Sequence, residues 1–127
     1  MHKSRLAGFI IDCQTDDLEG AAAFWSDALG YKIRYSAHPE DSGYRLLDTP
    51  PDEVHIEVQQ VRHPSRVHLD IEADDVEAEV RRLEKLGAKR IAQVRSWWVM
   101  EAPTGQRFCV VEALRSDFAE NANAWPE

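Results

Sequence analysis

The sequence predicts a mixed α+β fold, a single domain spanning all 127 residues and built from two tandem βαβββ modules whose curved mixed sheets surround a cleft. Two observations predict it. Ile10-Ile11-Asp12-Cys13-Gln14-Thr15-Asp16-Asp17-Leu18 matches His68-Leu69-Asp70-Ile71-Glu72-Ala73-Asp74-Asp75-Val76 at a constant offset of 58, and Leu29-Gly30-Tyr31-Lys32 matches Leu86-Gly87-Ala88-Lys89 at 57. Each match also brackets the same order: an apolar run, an acidic pair, an apolar stripe at helical spacing, a Leu-Gly end, then three extended pieces. A period this long, occurring twice, marks duplication of a supersecondary unit and not a solenoid.

The elements follow in order. Residues 6–13 form a short apolar run that reads as a strand. Asp16 and Asp17 supply N-cap chemistry and negative charge for a helix start. Leu18, Ala21, Ala22, Trp25, Ala28 and Leu29 make one stripe over a helix at 17–29, and Gly30 ends it in the left-handed region. Extended pieces follow at 31–36, 43–48 and 53–61. In the second half a strand at 66–72 leads to the Asp74-Asp75 cap and a helix at 75–86, striped by Val76, Val80, Leu83 and Leu86. Gly87 closes that helix, and strands follow at 89–94, 97–101 and 107–113. Pro50-Pro51 and Pro103-Thr104-Gly105 punctuate the last connection of each half. The modules thus span 6–61 and 66–113, eight strands and two helices, and 114–127 reads as a polar tail.

Composition narrows the function classes. Hydrophobic residues make up 43% and charged residues 30%, an ordinary globular balance. Fifteen Lys and Arg against 23 Asp and Glu give a formal charge of −8, which argues against nucleic acid or an anionic membrane as partner. No apolar run approaches a membrane span, and no secretory signal follows the basic start. Cys13 and Cys109 sit in apolar runs without metal-knuckle spacing, as buried free thiols of a reducing compartment do, so a cytoplasmic location is expected.

A strand, an acidic cap, a helix ending in Leu-Gly, three strands and a repeat opening on His68-Leu69-Asp70 resemble the glyoxalase/bleomycin-resistance/dioxygenase (vicinal oxygen chelate) superfamily. The closing Ala102-Pro103-Thr104-Gly105-Gln106-Arg107-Phe108-Cys109 is similar to that superfamily's Asp-Pro-x-Gly-Asn-x-x-Glu ending. With Phe24-Trp25, these features look most like its small bacterial glyoxalase-like proteins, over residues 6–113. The resemblance implies that metal-dependent members carry one ligand on the first and last strand of each half. Those positions fall here on Ile10, Glu57, His68 and Cys109, and Ile10 coordinates nothing. His68 and Glu57 remain as candidate ligands of a divalent metal, with Cys109 as a thiolate only.

Strand parity offers a separate argument. Val67, Leu69 and Ile71 share one face of their strand, and His68, Asp70 and Glu72 the other. Val54, Ile56 and Val58 oppose His55, Glu57 and Gln59. With the helices over the apolar faces, a polar concavity collects His55, Glu57, Gln59, His68 and Asp70. Ile10 and Cys109 join it, and Trp98 is the tryptophan expected to line it. Phe24 and Trp25 read as helix–sheet core, and Arg66 as a surface charge and not an anion clamp. The expected function is therefore binding of a small organic molecule without a complete metal site, hence no required cofactor. The alternative is a metal-dependent lyase, isomerase or dioxygenase acting on a small oxygenated substrate. Open curved sheets in so short a chain also predict a homodimer.

Overall fold

The computed structural model describes residues 1–35 and 42–127. Its elements run β1 (His2–Gln14), α1 (Leu18–Leu29), β2 (Ile33–Arg34), β3 (Tyr44–Leu47), β4 (His55–Val61), β5 (Arg66–Ala73), α2 (Val76–Lys85), β6 (Lys89–Val94), β7 (Trp97–Glu101), β8 (Arg107–Glu112), α3 (Phe118–Asn121) and β9 (Asn123–Trp125). The fold class is α+β, and both halves show the predicted βαβββ order. Residue 36, the end of the strand expected at 31–36, lies outside the described residues.

The chain divides into two compact units, Gly8–His68 and a second made of Met1–Ala7 with Leu69–Glu127. These cut through β1 and β5, where the sequence places its module boundaries between strands. The reason is the length of β1: its first residues pair with β9 (His2↔Trp125, Lys3↔Ala124, Ser4↔Asn123) and so belong with the second half.

In the Gly8–His68 unit the strand order is β2-β3-β4-β1, with β1 and β4 parallel and the other neighbours antiparallel. The Asp17 carboxylate accepts from the Gly20 N–H at 2.9 Å and caps α1. Gly30, at φ 77°, ends the helix in the left-handed region that a Cβ would strain. Leu18, Ala22, Leu47 and Val58 form the core under α1, with Trp25, Ile56 and Cys13 against them. Phe24, expected in that core, is 62% exposed. At 100° per residue it falls off the stripe that Leu18, Ala22 and Trp25 share, and its ring meets Trp25 only edge-on.

The second unit repeats the arrangement as β5-β8-β7-β6, with β5 and β8 parallel. The Asp75 carboxylate caps α2 by accepting from the Ala78 N–H at 3.0 Å. Ala73, Val80, Leu83, Met100 and Val110 form its core. The segment expected as a polar tail instead folds into α3 and β9, with Phe118 buried. Its anchor is polar as well as apolar. Glu79, fully buried, accepts from His2 Nε2 at 2.8 Å, Ser4 Oγ at 2.8 Å, and Arg82 Nε and a terminal Arg82 nitrogen at 2.8 and 2.9 Å. His2 Nδ1 donates to Glu127 at 2.8 Å, Trp125 Nε1 donates to Ser4 Oγ at 2.8 Å, and Arg82 lies 3.9 Å over the Trp125 ring. This network crosses widely separated sequence, so no local pattern announces it.

Candidate functional site

The parallel β1–β4 ladder pairs Gly8 with His55, Ile10 with Glu57 and Asp12 with Gln59. Alternation puts these six residues on one face and turns Cys13, Ile56 and Val58 toward α1. Gly8 is required for the first pair, because a Cβ there would run into the His55 carbonyl and ring. On this face the His55 Nε2 stands 4.0 Å from Glu57 Oε1, and the Gln59 amide donates to the Tyr44 hydroxyl at 3.0 Å.

His68 comes to the same face by a hydrogen bond. Its Nδ1 lies 2.7 Å from Asp12 Oδ2, and the Asp12 side chain is 1% exposed. An ionised carboxylate only accepts, so Nδ1 is the donor in this contact. That is the pairing by which a carboxylate fixes the tautomer and orientation of a working histidine. Asp12 is absent from the residues singled out by sequence. Its signal was present, since it is a charged residue inside an apolar run and the mate of Asp70 at the 58-residue offset. Arg66, two residues from His68 on β5, shares that face, and its Nε lies 3.6 Å from Asp12 Oδ2 on a side chain that is 45% exposed.

In the second unit the β5–β8 ladder pairs Asp70 with Cys109 and Glu72 with Val111. Asp70 and Glu72 are buried. Burial pushes the Glu72 carboxyl above its ordinary range, while Arg5 Nε at 3.4 Å and a terminal Arg115 nitrogen at 3.7 Å pull it back. Trp98 does not line this polar face. It shares the face of Met100 on β7 and packs against the core under α2, with Arg90 5.0 Å from its ring centroid. Alternation alone could not choose between Trp97 and Trp98; the buried Met100 does.

The four superfamily ligand positions do not assemble a four-donor set. Ile10 is 2% exposed and apolar, and Glu57 pairs with it. Cys109 pairs with Asp70, which makes it the ladder counterpart of Gln59 and not of Glu57. Within the second unit a carboxylate and a thiol do occupy adjoining strand positions, Asp70 on β5 and Cys109 beside it on β8. Carboxylate and thiolate are each competent toward a divalent ion.

Fold and site together define an α+β scaffold of duplicated βαβββ modules that carries a polar histidine-centred face. The family model for the glyoxalase-like domain matches residues 8–111, and the chain belongs to that family, within the vicinal oxygen chelate superfamily. No curated protein matches. Among solved structures, methylmalonyl-CoA epimerase from Mycobacterium tuberculosis is similar at TM-score 0.62 and 17% identity, covering 86% of this chain and 88% of that one. The hypothetical protein BH1468 from Bacillus halodurans gives 0.63 and 13%, covering 89% and 97%. The Mn(II)-bound glyoxalase from Novosphingobium aromaticivorans gives 0.60 and 17%, covering 87% of this chain and 39% of that chain. At these identities the likeness shows the fold.

Proposed function

We propose that this chain binds a small organic molecule against the polar face of β1 and β4, without a complete catalytic metal site, in the manner of binding members of its superfamily. The observation that carries the reading is Ile10: buried, apolar and paired with Glu57 where metal-dependent relatives carry a ligand. The ligand would meet an apolar wall at Ile10. His68 Nε2, Glu57, His55 and Gln59 would supply the polar contacts that orient it. Asp12 holds the His68 ring in one orientation on this face.

The setting goes with it. Two free cysteines support a cytoplasmic location, and among the described residues no helix is long and apolar enough to cross a membrane. Val67 and Leu69, 59% and 43% exposed, are apolar surface of the kind a homodimer would cover, and light scattering that returned a monomer mass at micromolar protein would defeat that part.

A second reading, metal-assisted lyase, isomerase or dioxygenase chemistry, is favoured by Asp70 beside Cys109 on the β5–β8 ladder, with His68 and Glu57 as the ligands expected from sequence. A divalent ion there would polarise a substrate oxygen. Elemental analysis of protein purified without chelator, run beside a thermal-shift screen of small organic molecules, separates the two. Binding predicts little metal and a saturable rise in Tm that His68→Ala removes while leaving the fold intact. About one tightly held transition metal per chain, lost in His68→Ala, would overturn it.

A further inference from the structure

We propose that Arg66 and His63 form an oxyanion-recognition subsite beside His68, so that the molecule bound carries a carboxylate or phosphate group. This rests on the binding reading above and narrows its ligand class. The sequence observation is a local reversal of charge: residues 62–68 read Arg-His-Pro-Ser-Arg-Val-His, with four basic residues and no acid, in a chain of net charge −8.

The geometry shows why these groups are available. Three nitrogens turn toward one oxygen, Asp12 Oδ2: His68 Nδ1 at 2.7 Å, Arg66 Nε at 3.6 Å and His63 Nε2 at 3.9 Å. Only the first is a hydrogen bond. Asp12 therefore orients Arg66 and His63 without using their donors. The Nε edge of Arg66 is the part nearest Asp12, which leaves the two terminal nitrogens farther out on a side chain that is 45% exposed. That fork matches the two oxygens of a carboxylate or phosphate, as an ammonium would not. His63, 39% exposed, pairs its Nδ1 with the Pro64 carbonyl at 2.9 Å, which sets the ring and turns Nε2 away from its own backbone.

The subsite is also held in place. The Gln14 N–H donates to Ser65 Oγ at 3.0 Å and the Gln14 side-chain amide donates to the Arg62 carbonyl at 2.9 Å, tying the 62–65 turn to the end of β1. Pre-ordering of this kind removes part of the entropic cost of binding. A cavity of about 440 Å³, lined by Gln14, Thr15, Asp16, Gln60, Val61 and Arg62, opens beside the same turn and is of small-metabolite size. Asp16 disfavours an anion in that cavity, so the charged group belongs at Arg66 and His63, with the body of the ligand on the β1 and β4 face beside His68.

The test is an NMR titration of the whole chain with sodium phosphate and, separately, sodium acetate, at constant ionic strength made up with chloride. Saturable shifts of the His63 ring and Arg66 guanidinium signals are expected with one or both, and the stronger of the two identifies the oxyanion. Arg66→Ala should weaken the binding about tenfold or more, whereas Arg81→Ala, on α2, should leave it unchanged. Shifts that fail to saturate by tens of millimolar, or an affinity that Arg66→Ala leaves alone, would refute the subsite. A neutral molecule that still raises the Tm in that case would leave the binding reading standing and remove only the oxyanion.

Discussion

Glu79→Gln is the sharpest test of how this fold is held. The carboxylate is fully buried and accepts four hydrogen bonds at 2.8–2.9 Å from His2, Ser4 and Arg82, and these tie the start of β1 to α2. Glutamine keeps the shape, removes the charge and replaces one acceptor by a donor facing other donors. Breaking a buried pair on one side costs roughly 3–5 kcal/mol, a large part of the 5–15 kcal/mol of a typical domain. Urea unfolding should show that loss as a lower midpoint at unchanged slope. A change below about 1 kcal/mol would mean that water reaches the network, and the reasoning would fail. The pH dependence gives a second reading. Burial lowers the His2 pKa, but the Glu79 and Glu127 carboxylates more than reverse this, and the net shift is upward from 6.5. A group raised in the folded state contributes fully below its unfolded value and loses that contribution as pH rises through the folded value. Stability should therefore fall as pH climbs from about 6.5 through the raised pKa, and His2→Gln should flatten that fall. Glu79 works in the other direction. Burial raises its pKa, and Arg82, His2 and Ser4 bring it net below 4.5, so its contribution is lost as pH drops through that lowered value.

Three further outcomes are expected. Asp12→Asn should release the His68 ring from its single tautomer, visible in the imidazole nitrogen shifts, at a stability cost of about 1–3 kcal/mol; an unchanged tautomer would show that Asp12 does not position it. Gly8→Ala should destabilise by about 1–3 kcal/mol because the new Cβ meets the His55 carbonyl and ring, and calorimetry showing no fall in Tm would mean that β4 yields freely. Asp75→Ala should remove the α2 cap and cost about 1 kcal/mol in urea unfolding; a neutral result would show that the Ala78 N–H finds water instead.

The sequence by itself determined the duplicated module, both helices and their caps, and the order of elements along the chain, because each is written locally: acidic pairs before stripes, glycine after them, and alternation within strands. Alternation also set His55, Glu57 and Gln59 opposite Ile56 and Val58 on β4, whereas on β5 Val67 and Leu69, expected beneath a helix, are 59% and 43% exposed. What it could not supply were partners. That His68 is tied to Asp12, 56 residues away, that Arg66 turns to the same carboxylate, and that Trp98 follows Met100 into the core depend on which strands lie side by side. The clearest case is the end of the chain, where a segment that looks like a polar tail folds against β1. His2, Glu79 and Trp125 have no apolar period between them. Their stability comes from buried charges that find each other only after the surrounding sheet has excluded water, so only tertiary structure decides it.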